Sequence, residues 1–526
     1  MYYFRRTSRI RGRKSIEKSE DSTVLNDLPV SSIHATNVLN ADLGHALSTG
    51  SQLKPWSTSA LKLYLILSVA FMGSLSYGFD NSVMGSVNGL SQYTDYFHIG
   101  GSATGGGQGI AVAMLLNIFS LGGLVGSLVS APAADRWGRR MGMILAGIVI
   151  LVGVSLVTAA QNRVYLFFGR FLIGFGSAVN NSAAPPYVAE LSPPQWRGHL
   201  AGLYNTFNFI GAIICSALII GTGSMNSSAA WRLPFALQFV PTIILLAGAY
   251  FIPESPRWLM SVGRKDEARA ILAKYHGDGD TNAPLVVLEY EEIEACVKNA
   301  TNTRWVQLFD SRSSRYRTLI SCWLGLCYIF SGFSIFNYST VAFDLTGVKT
   351  QTERLIFSFV SSTAGGLGSV TGAAIADRVG RRPSWLWGTL GCSITLALTA
   401  AFTAAGISPA ATTFLVMFSF VMNGTYMPLL GMYPSECLSY ETRAKGFALI
   451  AFIESLTALV GNFAGSVAFQ KIGWKYFLVF AIWNAVETIT IWYCAVETKG
   501  RTLEELNEIF EDRNPVKASL RRTGGG

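Results

Sequence analysis

Charge is what this chain of 526 residues has least of: 14% of its residues are Asp, Glu, Lys or Arg, while 50% are hydrophobic and the mean hydropathy is +0.35. A soluble enzyme of this length carries about 25% charged residues, so the shortage excludes an ordinary water-soluble fold and points to a bilayer. Cysteine is also sparse. The seven cysteines (Cys215, Cys296, Cys322, Cys327, Cys392, Cys437 and Cys494) fall in apolar runs or arginine-rich segments without paired spacing, which implies neither disulfides nor a metal site. No nucleophile–base pair, metal constellation or phosphate-cradling loop is found, which argues against an enzyme and against a cofactor. No apolar core precedes residue 60, so a cleavable signal peptide is not expected and the first apolar run must itself direct insertion.

Twelve apolar stretches are present, near 61–79, 109–131, 142–159, 164–187, 200–222, 233–251, 318–345, 355–375, 384–405, 411–433, 446–468 and 475–495. Each approaches the ~20 residues that a spanning helix needs. Three charged signatures occur twice in the same order. Asp135-Arg136-Trp137-Gly138-Arg139-Arg140 returns as Asp377-Arg378-Val379-Gly380-Arg381-Arg382. Glu190 with Arg197 returns as Glu436 with Arg443, and Pro253-Glu254-Ser255-Pro256-Arg257 returns loosely as Val496-Glu497-Thr498-Lys499-Gly500. The shared offset of about 240 residues marks a duplication. The expected fold is an all-α membrane protein of twelve transmembrane helices in two pseudo-symmetric six-helix bundles around one cavity, and transport is the first functional expectation.

The net charge of +9 is concentrated in the N-terminal tail, the 252–317 segment, the two D-R-x-G-R-R loops and the C-terminal tail, whereas the 81–108 loop has no Lys or Arg. The positive-inside rule places the basic segments and both termini in the cytoplasm. The same placement accounts for the pI without nucleic acid. The expected organisation is a disordered tail over 1–60, an N-terminal bundle over 61–251, a cytoplasmic helical linker over 252–317, a C-terminal bundle over 318–495 and a cytoplasmic tail over 496–526. Within the linker, Lys265–Tyr275 and Leu288–Lys298 read as amphipathic helices, as do Leu503, Leu506, Ile509 and Phe510 after the last run. Of the glycosylation sequons, only Asn226 falls in a predicted outside loop. Glycines such as Gly122, Gly126, Gly174, Gly368 and Gly372 predict close helix approach, and Pro185-Pro186 and Pro428 mark candidate bends.

With D-R-W-G-R-R, G-R-F-L-I-G-F-G at Gly169–Gly176, P-E-S-P-R-W at Pro253–Trp258 and V-E-T-K-G-R at Val496–Arg501, the chain resembles the sugar porter family of the major facilitator superfamily. Gly202–Thr206, Tyr433–Glu436, Arg443–Gly446 and Ile472–Tyr476 resemble, more narrowly, the fungal lactose permease and cellodextrin transporter branch. The resemblance implies uptake of a hexose or disaccharide at the plasma membrane by alternating access, with a proton, a sugar and the lipid bilayer as partners, and a monomer.

It also implies a cytoplasmic gate of Asp135, Arg139, Arg140, Glu190, Arg197, Asp377, Arg381, Arg382, Glu436 and Arg443. Each Asp of the D-R-x-G-R-R runs could cap a helix N-terminus while the arginines reach neighbouring acids. Asp80 ends the apolar run Leu61–Phe79, and an acid there costs roughly 2.5–3.5 kcal/mol on insertion scales, so it needs a partner or a proton. Arg170 is the family-implied partner, and the pair is the candidate for proton coupling.

A sugar needs convergent hydrogen-bonding groups and an aromatic plane near the midplane. By family position the candidates are Asn205, Asn208, Ser334, Asn337, Tyr338, Tyr426 and Asn462, with Tyr204 and Trp483 behind them. The seventh run departs from the branch pattern, with Ile329, Ser331, Gly332, Phe333 and Ser334 where donors and acceptors are usual. A sensor that binds without transport, or a porter of a polyol or quinate-like acid, therefore stays open. Of two further acids at membrane depth, Glu487 is read as structural and Glu454 as close to solvent at the cytoplasmic start of its run.

Overall fold

The structure, a computed structural model, describes residues 56–98, 110–300, 305–439, 442–501 and 503–521. Most of the expected N-terminal tail lies outside the described residues. Among the described residues there is helix and no strand, as a bilayer requires of segments that must satisfy their own backbone.

The first bundle comprises α1 (Thr58–Val87), a short α2 (Ser91–Tyr96), α3 (Ile110–Trp137), α4 (Arg139–Thr158), α5 (Arg163–Leu191), α6 (Arg197–Thr222) and a sixth span split into α7 (Ala229–Leu237) and α8 (Phe239–Phe251). Helices α9 (Pro256–Ser261), α10 (Lys265–His276) and α11 (Pro284–Ala300) form the linker, and α10 and α11 cover the two amphipathic stretches read from sequence. The second bundle begins with a broken seventh span: α12 (Arg312–Tyr328), a wide turn over Ile329–Phe333, α13 (Ser334–Asn337) and α14 (Ser339–Leu345). It continues with α15 (Gln351–Val379), α16 (Arg381–Ala404), α17 (Ser408–Cys437), α18 (Arg443–Lys471) and α19 (Lys475–Cys494), followed by α20 (Leu503–Glu511) and α21 (Pro515–Leu520).

Among the described residues, eleven spans are long and apolar enough to cross a membrane. The twelfth, α5, is as long as its neighbours but carries Arg170, Asn180 and Asn181, and this polarity keeps it out of that class. Within each bundle, glycines bring helices together: a Cβ on Gly174 of α5 would lie 2.1 Å from the Phe119 carbonyl of α3, and one on Gly368 of α15 would lie 2.1 Å from the Phe420 carbonyl of α17. Neither Pro185-Pro186 nor Pro428 interrupts its helix. The break falls in the seventh span instead, where Gly332 has φ +126°.

Between the bundles, α3 packs on α18 and α6 on α15. Among the described residues, hydrogen bonds cross from one half to the other at mid-depth and at the end away from the arginine-rich turns. Ser339 and Thr340 donate to the Gly85 carbonyl at 3.2 and 3.0 Å, and Gln351 donates to the Gly223 carbonyl at 3.2 Å. At mid-depth, Ser216 meets Ser362 at 3.3 Å and Asn462 donates to Ser120 at 3.3 Å.

Candidate functional site: a cavity between two bundles

A cavity of about 390 Å³ lies between the bundles, walled by both. This is within the usual range for small-molecule sites. Its hydrogen-bonding wall includes Asn81, Asn181, Asn208, Asn337, Asn423 and Asn462, and Tyr77, Phe209, Tyr328, Phe333 and Phe336 supply aromatic surface. Amides beside ring faces can meet the hydroxyls and the apolar face of a polyhydroxylated ring.

Arg170 of α5 lines the cavity and donates through Nη1 to Asp80 Oδ1 of α1 at 2.5 Å. Side-chain exposure is 3% for Arg170 and 0% for Asp80, so Asp80 is not at a water interface. The guanidinium also lies over the Phe119 ring, 4.6 Å from its centroid. Asp80 Oδ2 accepts no hydrogen bond, which leaves the carboxylate half-satisfied next to the cavity. Neutralising one partner of such a pair changes the stability of the local arrangement by several kcal/mol, enough to bias a two-state element.

Of the residues expected to bind solute, Asn208, Asn337 and Asn462 are on the wall. Asn337 Nδ2 donates to Asn462 Oδ1 at 2.8 Å, which ties the seventh and eleventh spans together. Ser334, Tyr338 and Tyr426 lie behind the wall: Ser334 meets Tyr476 at 3.2 Å, Tyr338 donates to the Asn462 carbonyl at 3.0 Å, and Tyr426 is fully buried. The Tyr426 hydroxyl is committed to Ser331 (2.7 Å), Thr389 (3.0 Å) and Glu487 (3.2 Å). Glu487 also accepts from Ser331 at 2.6 Å and from Trp483 Nε1, so this buried acid is held by neutral donors and acts as structure. Asn205 is exposed one turn from Asn208 and is not part of the wall, and Tyr204 is buried beside Phe71. Glu454, read from sequence as close to solvent at the cytoplasmic start of its run, is half-buried and lines the cavity.

The arginine-rich turns are built alike in the two halves. Arg139 approaches Glu190 at 3.5 Å, and Arg381 grips Glu436 at 2.8 to 3.1 Å. Ser255 donates to Glu190 at 2.5 Å, as Thr498 does to Glu436 at 2.5 Å.

The caps of α4 and α16 correct the sequence expectation. They come from Glu254, which accepts from the Arg139 and Arg140 amides at 3.0 and 3.1 Å, and from Glu497, which accepts from the Arg381 and Arg382 amides at 3.0 and 3.2 Å. Asp377, in the last turn of the preceding helix, is exposed and pairs with the Arg381 side chain at 3.3 Å, with no hydrogen bond to the amides of α16; the Asp135 side chain lies outside the described residues. Burial holds the Glu254 carboxyl above the usual carboxylate range despite the three amides and Arg139 that oppose the shift. Gly138 and Gly380 have φ +91° and +116°, and a Cβ on either would fall within 2.5 Å of the capping carboxylate. Only glycine suits both demands.

Arg140 and Arg382 donate to the carbonyls of Tyr250 and Trp492 at the ends of the sixth and twelfth spans. Arg197 lies 3.9 Å from Glu289 of the linker helix α11 rather than beside a gate acid. Glu289 bonds His276 at 2.5 Å, and His276 reaches the Leu191 carbonyl at 3.1 Å. Arg443 begins α18, the counterpart of Arg197 at the start of α6.

A family model described as "Sugar (and other) transporter" matches residues 66–510. The high-affinity glucose transporter of Kluyveromyces lactis is 30% identical over 86% of this chain and 86% of that protein. The H(+)/hexose cotransporter 2 of Parachlorella kessleri is 27% identical over 85% of this chain and 86% of its own. Among solved structures, the inward-open xylose transporter XylE from E. coli superposes with a TM-score of 0.69 at 20% identity, over 85% of this chain and all of that one. These relatives carry glucose and hexose names rather than lactose or cellodextrin ones. The duplicated turns, the two bundles and the match along most of the chain make it a multi-pass membrane protein of the sugar porter family, within the major facilitator superfamily.

Proposed function

We propose that this chain takes up a hexose across the plasma membrane as a proton symporter, with both termini cytoplasmic. The observation that carries the reading is the buried Asp80–Arg170 pair beside a cavity lined by amides and aromatic rings. Protonating Asp80 would release Arg170 to the cavity, and an altered cavity wall links proton binding to solute binding through their shared preference for one conformation. With the arginine-rich turns in the cytoplasm, as their charge favours, the bonds from Ser339, Thr340 and Gln351 close the outer end, and the conformation is inward-facing. The paired networks of Arg139–Glu190 and Arg381–Glu436 then hold each half rigid as the two rock past each other, and the lipid bilayer supplies the frame.

A hexose is preferred to a disaccharide for two reasons. The glucose and hexose relatives align over most of the chain, and Ser334 and Tyr426, two of the expected sugar-binding groups, are spent on internal bonds, which leaves fewer donors for a highly hydroxylated disaccharide. The test is uptake of labelled mono- and disaccharides at two external pH values in cells lacking their own sugar porters. Hexose accumulation that rises at the lower pH supports the proposal. Binding without uptake would make the protein a sensor, and uptake of polyols or quinate-like acids in place of hexoses would displace the sugar.

A further inference from the structure

We infer that Glu454 makes the cavity selective for a solute with a cationic amine, an amino sugar above its neutral counterpart; this deepens the sugar reading and rests on it. Glu454 of α18 is one of two charged side chains on the cavity wall. The other, Arg170, is occupied by Asp80 at 2.5 Å, so its charge is already answered. Glu454 forms no ion pair or hydrogen bond within the described residues. Gly325 stands against it, its missing Cβ leaving room for the carboxylate (a Cβ there would sit 3.2 Å from Oε1), and Tyr77 and Tyr328 line the same cavity.

Tyr77 belongs to the first bundle and Glu454 to the second, so a molecule held between the halves meets both. A carboxylate in this position attracts any hydroxyl donor. An ammonium group offers more, because it donates charge-assisted bonds and favours the ionised form of an acid that has no protein partner.

The experiment is equilibrium binding of glucosamine, N-acetylglucosamine and glucose to the purified full-length protein at pH 6.5, repeated with Glu454→Gln. The expected result is glucosamine binding at least about tenfold more tightly than either neutral sugar, the difference between a charged and a neutral hydrogen bond, with that ratio collapsing towards one in the variant. Glucose binding as well as or better than glucosamine in the unaltered protein overturns the inference and leaves the sugar reading standing, whether or not the variant folds. If none of the three binds, the sugar reading fails and the inference with it. A preference that survives Glu454→Gln, or a variant that loses proton-driven accumulation while keeping the amine preference, also overturns it, the latter by making Glu454 a proton site.

Discussion

The two halves agree closely at their arginine-rich ends and differ at the cavity. At the ends, each element has its counterpart: Glu254 and Glu497 cap α4 and α16, Glu190 and Glu436 receive an arginine, and Gly138 and Gly380 hold the same left-handed turn. Even the tyrosines behind them correspond, Tyr187 donating to the Pro253 carbonyl at 2.9 Å and Tyr433 to that of Val496 at 3.1 Å. At membrane depth the likeness ends. The first half buries an acid against an arginine, whereas the second buries Glu487 among Ser331, Tyr426 and Trp483 and turns Glu454 to the cavity. The duplicated part holds a helical bundle together whatever the solute. The divergent part is where a solute and a proton can act on one half without acting equally on the other.

The comparison can be broken most severely at Asp80. Asp80→Asn keeps the shape but removes the titrating group, so accumulation of labelled hexose against its gradient should vanish while exchange of labelled for unlabelled sugar continues. Unchanged accumulation would remove the proton coupling. Arg170→Ala should instead destabilise the fold by about 3–5 kcal/mol, because it strands a buried carboxylate; the melting temperature of the detergent-solubilised protein reads this out.

Glu254→Gln and Glu497→Gln test the symmetric part. Each removes a charged cap from equivalent amides and should lower stability by similar amounts, about 1.5–3 kcal/mol. A large inequality between the two would show that the turns are alike in form but not in energy.

The smallest effect concerns His276, which sits in the linker of the first half. Burial opposes its charge, but the carboxylate of Glu289 and the Leu191 carbonyl favour it, and the net result lies above the ordinary histidine value. The stabilisation is therefore fully present below the unfolded value of about 6.5 and is lost as pH rises through the folded one. Hydrogen exchange in residues 265–297 should accelerate as pH rises through this window beyond its intrinsic base catalysis, and His276→Gln should remove the excess.

Much of this was legible in the sequence, for physical reasons. Lipid demands long apolar helices, so the spans appear as continuous runs, and the arginine-rich turns repeat because both halves need the same end. The Asp80–Arg170 pair was legible because an acid at membrane depth requires a partner, and the family resemblance named one. The wall was less so. Whether Tyr426 faces solute or Glu487 depends on the rotation of α17 about its axis, and that is set by packing against α15 and α16 rather than by any local pattern. That Glu454 lines the cavity was not legible, because counting from the start of a span does not show how far the cavity reaches. The caps on α4 and α16 could have been found: Glu254 and Glu497 recur at the same offset as the turns they serve, and the acid nearest in sequence drew attention from the one nearest in space.

Proton movement measured directly is the sharpest test. When hexose is added to lightly buffered proteoliposomes containing this protein, the external medium should become alkaline in step with sugar entry, and the signal should be absent in Asp80→Asn. Sugar entry without any pH change, or an equal pH change in the variant, would contradict the account.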